Sequence, residues 1–86
     1  MSHHIELRII RNGAYSVLQI DGDINRTSSP QVSATILELI EKGYEKGVIV
    51  DLKHAEHIDS MGASILIDAF EVAQKRNMDF ILTGLN

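Results

Sequence analysis

The chain is predicted to fold as a single α/β domain with a mixed β-sheet packed with helices, because strand-like segments alternate with two amphipathic segments. Its 86 residues leave room for one hydrophobic core. The patterns follow the order strand, strand, helix, strand, helix, strand, which implies an N-terminal hairpin and two β-α-β crossovers. One domain is therefore expected over residues 1–86.

The N-terminal segment has the pattern of a β-hairpin. Apolar residues at every second position of 5–9 indicate a strand, and Asn12 and Gly13 supply the positive-φ positions of a tight turn. A second strand is predicted over Tyr15–Ile20, with Gly22 closing it. The first two strands should therefore be antiparallel.

The first helix is predicted to begin at Pro30, whose fixed φ suits a first helical turn, directly after three hydroxyl residues able to cap it. Gly43 is expected to end the helix. The capping candidates are Thr27, Ser28 and Ser29, and the buried stripe comprises Val32, Ile36, Leu39 and Ile40.

The third strand is predicted at Val48–Val50, a β-branched run typical of an interior parallel strand, and it should finish at Asp51 and Leu52. Residues 53–59 then form a polar connection. A second helix is predicted to start at Ser60 and to stop near Asn77. Its apolar stripe comprises Leu66, Ile67, Phe70 and Ala73.

The last strand is predicted at Phe80–Leu82, and residues 83–86 read as a turn. If the strands lie side by side in sequence order, right-handed crossovers place both helices on one face of the sheet. The other face of Val48–Val50 would then need cover from a further C-terminal helix or from a partner protein. A different strand order, with helices on both faces, is the alternative.

Composition excludes several classes of protein. A net charge of −4 without a stripe of Lys and Arg argues against nucleic-acid binding. No apolar run is long enough to cross a membrane. With no cysteine and no signal-like start, a cytoplasmic location is expected.

Ser60 is the most informative residue, because it lies where a strand-to-helix connection becomes a helix. Its hydroxyl could cap the helix by accepting a hydrogen bond from a first-turn amide. Alternatively, the hydroxyl could be phosphorylated, since helix N-terminal amides and the helix dipole favour negative charge. Phosphate beside Asp59 would change the surface that a partner meets.

Three segments resemble the STAS domain family, which includes bacterial anti-sigma factor antagonists and cytoplasmic tails of sulfate transporters. They are IDGDIN at Ile20–Asn25, VIVDL at Val48–Leu52 and IDSMGASIL at Ile58–Leu66. The resemblance covers nearly the whole chain, and the third segment is its most specific part.

The resemblance implies a binding module of bacterial signal transduction and transcription regulation, and not an enzyme. In the antagonists, the serine that follows the aspartate of the third segment is phosphorylated by a partner that is both serine kinase and anti-sigma factor. That serine is Ser60 here. The unphosphorylated domain would capture the anti-sigma factor, phosphorylation would release it, and a phosphatase would restore binding.

The sequence departs from the family pattern in three places. Asn25 stands where members often have aspartate, Met61 stands where a second serine is common, and the C-terminal helices that usually follow the last strand are not found before Asn86. These departures keep open an alternative, a non-switching STAS subunit of a signalling scaffold or of a lipid or anion transport complex.

A partner-binding surface is expected around Ser60, because the carboxyl ends of parallel strands meet at one edge of a sheet. No cofactor or metal is expected, and association into a homo-oligomer is left open. The predicted partner-binding residues are Asp21, Asp23, Asn25, Thr27, Ser28, His57, Asp59, Met61, Gly62 and Ser64.

Three other chemistries have weaker support. Ser60 with His54, His57 and Asp59 offers the residue types of a serine hydrolase, but the G-x-S-x-G turn is missing. A metal site at His54 and His57, or Mg²⁺ at the two aspartates of IDGDIN, is less expected than solvated side chains. The glycine-rich loops of nucleotide-binding folds do not occur in the sequence.

Overall fold

The structure, a computed structural model, describes residues 5–42 and 46–85. Its elements follow the predicted order. They are β1 (Glu6–Asn12), β2 (Tyr15–Ile24), α1 (Ser29–Lys42), β3 (Gly47–Ile58), α2 (Ser60–Lys75) and β4 (Asp79–Thr83).

The four strands form one mixed sheet in the order β1-β2-β3-β4. β1 and β2 are antiparallel and joined by the predicted tight turn, in which Gly13 has a φ of 64°. β3 is parallel to both β2 and β4. The sheet therefore has the sequential strand order, which was one of the two predicted arrangements.

Both helices lie on one face of this sheet. α1 packs against β2 and β3, α2 packs against β3 and β4, and the two helices pack against each other. Alternate strand residues point into this layer, so that Leu18 and Ile20 of β2 and Val48 and Val50 of β3 are buried. The helices complete the core with Val32, Ile36, Ile40, Leu66, Ala69 and Ala73.

The other face of the sheet carries a row of four aliphatic side chains. Ile10 is paired with Val17, Val17 with Ile49, and Ile49 with Ile81, one residue from each strand. The outermost members, Ile10 and Ile81, are 41% and 40% exposed. The second face of β3 thus lacks a helical layer within the described residues, as the sequential order predicts.

A second row on this open face links three strands through Tyr15, Gly47 and Asp79. The Tyr15 hydroxyl donates a 2.7 Å hydrogen bond to Oδ2 of Asp79, and this bond raises the pKa of Tyr15 above its ordinary value. Gly47 lies between them in register, and a Cβ there would come within 2.4 Å of the Asp79 carbonyl oxygen. Glycine is therefore required at the centre of the row.

Two predicted boundaries were wrong by more than one residue, while α1 begins at Ser29, one residue before the predicted start at Pro30. The polar connection over residues 53–59 is strand as far as Ile58, because its backbone pairs with the end of β2 despite its polar side chains. Gly22 does not close β2, which continues to Ile24 past two register shifts, with Gly22 at a φ of 120°. The predicted helix end at Gly43 lies outside the described residues.

The end of α2 agrees with the prediction. The helix ends at Lys75, and Asn77 follows in the left-handed region with a φ of 58°. The amides of Arg76 and Met78 both donate to the Ala73 carbonyl. These hydrogen bonds satisfy one of the carbonyl groups in the last turn of the helix. β4 then starts at Asp79, one residue before the predicted start.

Candidate functional site

The N-terminus of α2 lies beside the carboxyl end of β2. The amide of Asp59 donates a 3.1 Å hydrogen bond to the carbonyl oxygen of Ile24, which is the last residue of β2. β2 and β3 are parallel, so their carboxyl ends reach the same edge of the sheet. This edge brings the loop after β2 and the first turn of α2 together.

Gly62 makes this approach possible. It is buried in the first turn of α2, and a Cβ at this position would lie 2.5 Å from the Ile24 carbonyl oxygen and 2.9 Å from its Cγ2. Such distances are too short for any side chain. Gly62, predicted as a partner-binding residue, is therefore a buried residue that allows α2 to pack against the end of β2.

Asp59 caps α2. Its backbone is extended, and Oδ1 accepts a 2.9 Å hydrogen bond from the amide of Gly62. The interpretation of Ser60 as the N-cap is therefore wrong, because the carboxylate one residue earlier occupies that position. Ser60 is instead the first helical residue.

Ser60 and its neighbours on α2 face outward. The side chain of Ser60 is exposed and forms no hydrogen bond within residues 5–42 and 46–85, so the structure pairs it with neither His54 nor His57. Met61 is 46% exposed, and Ser64 is exposed one turn further along the helix. The Ser60 hydroxyl is therefore accessible from solvent in the folded domain.

The loop between β2 and α1 is held by its own side chains. Oδ1 of Asn25 accepts hydrogen bonds from the amides of Thr27, at 2.9 Å, and Ser28, at 3.1 Å. The Ser28 hydroxyl donates to the Asp23 carbonyl at 2.7 Å and accepts from the Asn25 amide at 3.0 Å. Ser29 donates from its hydroxyl to the Asn25 carbonyl. These bonds fix the shape of the loop.

Asp23 and His57 bridge the ends of β2 and β3. Nδ1 of His57 lies 3.2 Å from Oδ1 of Asp23, with side chains that are 84% and 27% exposed. Sequence reasoning placed both residues at the site but missed their contact, because it assigned His57 to a loop. The signal that could have found it is the motif IDGDIN itself, because its second aspartate, Asp23, lies at the carboxyl end of a strand parallel to β3.

The one remaining predicted residue, Asp21, lies earlier in β2. Asp21 is exposed and pairs in register with His54, and both line a polar cleft on the open face of the sheet. Among the described residues, no group of three or more His, Asp or Glu side chains is placed to hold a metal ion. The site is therefore centred on Asp23, Asn25, His57, Asp59 and Ser60.

The sequence pattern of the STAS domain family matches residues 5–86, and the chain belongs to this family. The match includes both strands and the helix start that build the site. Within the described residues, no helix is long and apolar enough to span a membrane.

Several solved structures with a similar fold are of anti-sigma factor antagonists. One from Mycobacterium paratuberculosis has a TM-score of 0.83 at 22% identity, covering 92% of this chain and 66% of its own. SpoIIAA in its unphosphorylated form has a TM-score of 0.78 at 17% identity, covering 96% of this chain and 74% of its own. An RsbS variant from Moorella thermoacetica has a TM-score of 0.80 at 25% identity, covering 93% and 68%. This chain thus spans about two thirds to three quarters of their lengths.

Proposed function

We propose that this chain is an anti-sigma factor antagonist whose binding is switched by phosphorylation of Ser60. The observation that carries the proposal is that two adjacent residues have different roles at the start of α2. Asp59 caps the helix, and the Ser60 hydroxyl stays exposed. Similarity of fold to SpoIIAA, which has been solved in unphosphorylated and phosphorylated forms, supports it.

The partner in this proposal is an anti-sigma factor with serine kinase activity. It transfers the γ-phosphoryl group of ATP to the Ser60 hydroxyl oxygen, and the hydroxyl proton is lost as ADP leaves. A phosphatase hydrolyses the phosphoserine and regenerates the hydroxyl. The protein itself acts as a binding module, in the cytoplasm, and supplies the acceptor.

Electrostatics explain how the phosphate acts. A phosphoserine adds nearly two negative charges at neutral pH, here next to the carboxylate of Asp59 and on the same edge as Asp23. The helix N-terminus favours this charge, so the fold is retained. A partner seated on the neutral Ser60 and the exposed Met61 would have to desolvate the new charge, and it would bind more weakly.

The test is to measure binding of the purified anti-sigma partner to the wild type, Ser60→Ala and Ser60→Asp. We expect Ser60→Ala to bind like the wild type and Ser60→Asp to bind at least about tenfold more weakly, equivalent to about 1.4 kcal/mol. Ala34→Asp is the control, because it adds the same charge at an exposed position of α1 that is not among the predicted partner-binding residues. Equal binding of all four proteins would contradict the switch.

One observation favours the alternative of a non-switching STAS subunit. Asn25 accepts the loop hydrogen bonds through Oδ1, as a carboxylate would, yet it brings no charge to the site. Asn25 can thus hold the loop as an aspartate would, but the site is less acidic. A constitutive subunit would bind its partner with Ser60→Asp as tightly as with the wild type, and no phosphate would be found on Ser60.

A further inference from the structure

The hairpin between β1 and β2 places an asparagine directly before a glycine at the surface. Asn12 is the last residue of β1 and pairs in register with Tyr15, so Gly13 and Ala14 form the turn. Asn12, Gly13 and Ala14 are all exposed. A Cβ added to Gly13 would meet no atom within 4 Å beyond its chain neighbours, so the space around the turn is open.

An asparagine side chain can react with the main chain that follows it. The amide nitrogen of the next residue attacks Cγ of the asparagine, and a five-membered succinimide ring closes as the side-chain nitrogen leaves as ammonia. This reaction needs a side chain that is free to turn and an amide N–H that is not engaged in a hydrogen bond. Glycine as the next residue favours it, because no Cβ hinders the approach.

Both reacting groups are free at this turn. Within residues 5–42 and 46–85, the side chain of Asn12 forms no hydrogen bond, and the amide of Gly13 has no acceptor. The last pair of the β1–β2 ladder joins Asn12 and Tyr15, so the Gly13 amide lies outside the ladder. The electrophile and the nucleophile are therefore adjacent, exposed and unengaged.

The other two asparagines of the described residues are protected. Oδ1 of Asn25 accepts two hydrogen bonds from main-chain amides of its own loop, and these hold the side chain in place. Asn77 is exposed, but the amide that would attack it, that of Met78, donates a 2.9 Å hydrogen bond to the Ala73 carbonyl. In each case, one of the two reacting groups is already bonded.

We propose that Asn12 is a site of spontaneous deamidation in the folded protein. The Gly13 nitrogen attacks Cγ and loses its proton, the bond between Cγ and Nδ2 breaks, and Nδ2 leaves as ammonia. Water then opens the ring. Cleavage between the nitrogen and Cγ gives aspartate, and cleavage between the nitrogen and the main-chain carbonyl gives isoaspartate, in which the chain runs through Cγ. The proposal is independent of the function assigned to Ser60.

The two products affect the hairpin differently. Aspartate keeps the main chain and adds one negative charge at an exposed position. Isoaspartate adds a methylene to the main chain just before the turn, so the pair of residue 12 with Tyr15 cannot keep its register. Because Tyr15 donates its hydroxyl hydrogen bond to Asp79, this product should also loosen the row that links β2 to β4.

The first experiment follows the purified protein by peptide mapping with tandem mass spectrometry during incubation at mildly alkaline pH and physiological temperature. Asn12 should convert to a mixture of aspartate and isoaspartate at least about tenfold faster than Asn25 or Asn77, because only Asn12 is followed by glycine. Asn12→Gln is the matched control. It keeps an amide at this position, but its longer side chain would have to close a larger ring, so conversion there should be absent.

A synthetic peptide of residues 8–16 is the reference for an unfolded turn. If Asn12 reacted in the peptide but not in the folded protein, the hairpin would block ring closure and the proposal would be overturned. Conversion at Asn25 or Asn77 as fast as at Asn12 would overturn it as well, because the hydrogen bonds at those positions would then give no protection.

The second experiment tests the effect of the products on the fold. Ion-exchange chromatography separates the modified forms from the unmodified protein, and urea denaturation compares them. The isoaspartate form should unfold at a lower urea concentration than the unmodified protein, whereas Asn12→Asp, which reproduces the other product, should keep the original midpoint. The same midpoint for both would contradict the predicted loss of the last pair of the hairpin.

Discussion

The N-termini of the two helices use their hydroxyl residues in opposite ways. At the start of α1, the hydroxyls of Ser28 and Ser29 donate hydrogen bonds to backbone carbonyls of the preceding loop, and Ser29 is only 3% exposed. At α2, Asp59 provides the capping oxygen, and Ser60 is exposed without a hydrogen bond in the described part of the chain. Both helix N-termini lie at the carboxyl ends of the parallel strands β2 and β3.

This difference shows what makes a serine available for modification. A hydroxyl that caps a helix or closes a loop is buried and already bonded, so phosphorylating it would break local structure. When a carboxylate accepts the capping hydrogen bond, the hydroxyl of the next residue is not needed to stabilise the helix end. Asp59 and Ser60 are such a pair, and the following predictions test the difference.

The largest effect is expected at Gly62, where α2 touches β2. An exposed helical Gly→Ala change normally stabilises a helix by about 1 kcal/mol. Gly62→Ala should instead lower the free energy of unfolding by about 1–3 kcal/mol, because its Cβ would overlap the Ile24 carbonyl. Urea denaturation measures this, with Ser64→Ala on the exposed side of α2 as the control. Stabilisation by Gly62→Ala would disprove the close contact.

A smaller effect is expected at the loop before α1. Asn25→Ala removes the oxygen that accepts from the Thr27 and Ser28 amides and should lower the free energy of unfolding by about 1 kcal/mol. Asn25→Asp keeps that oxygen and should restore most of the loss in the same denaturation experiment. If both variants were equally unstable, the loop would not depend on these hydrogen bonds.

The smallest effect on stability is expected at Ser60 itself. Ser60→Ala should change the free energy of unfolding by less than about 0.5 kcal/mol, as surface substitutions usually do. Ser29→Ala, at the buried counterpart, should cost about 1 kcal/mol because the Asn25 carbonyl loses the Ser29 hydroxyl and keeps only the Ser29 amide as a donor. Urea denaturation of both variants measures the two changes. A decrease in the free energy of unfolding of more than about 0.5 kcal/mol for Ser60→Ala would mean that this hydroxyl has a structural role.

Most of the architecture could be predicted from side-chain periodicity. The predicted α1 stripe is buried apart from the half-buried Leu39, because burial is what imposes such patterns. The predicted α2 stripe is buried only in part, since Ile67 and Phe70 are 59% and 46% exposed. The extension of β3 to Ile58 could not be predicted. The residues that pair with the end of β2 are mostly polar and exposed, and they lack the apolar pattern of a buried strand. The contact between Asp23 and His57 depends on that extension.

The capping residue of α2 could not be predicted either. Asp59 and Ser60 are adjacent, and both residue types are strongly preferred caps. The choice is made by Gly62, because its close contact with Ile24 fixes the start of the helix, and such a contact is visible only in the folded chain. The grouping of IDGDIN with Ser60, in contrast, follows from strand direction alone.

The most direct test of the central claim is to map phosphate by tandem mass spectrometry after incubating the protein with the proposed anti-sigma kinase and ATP. The account predicts one phosphate on the wild type, located on Ser60, none on Ser60→Ala, and an unchanged amount on Ser64→Ala. Phosphate located on Thr27, Ser28 or Ser64, or none on the wild type under conditions in which the kinase phosphorylates its known substrate, would contradict it.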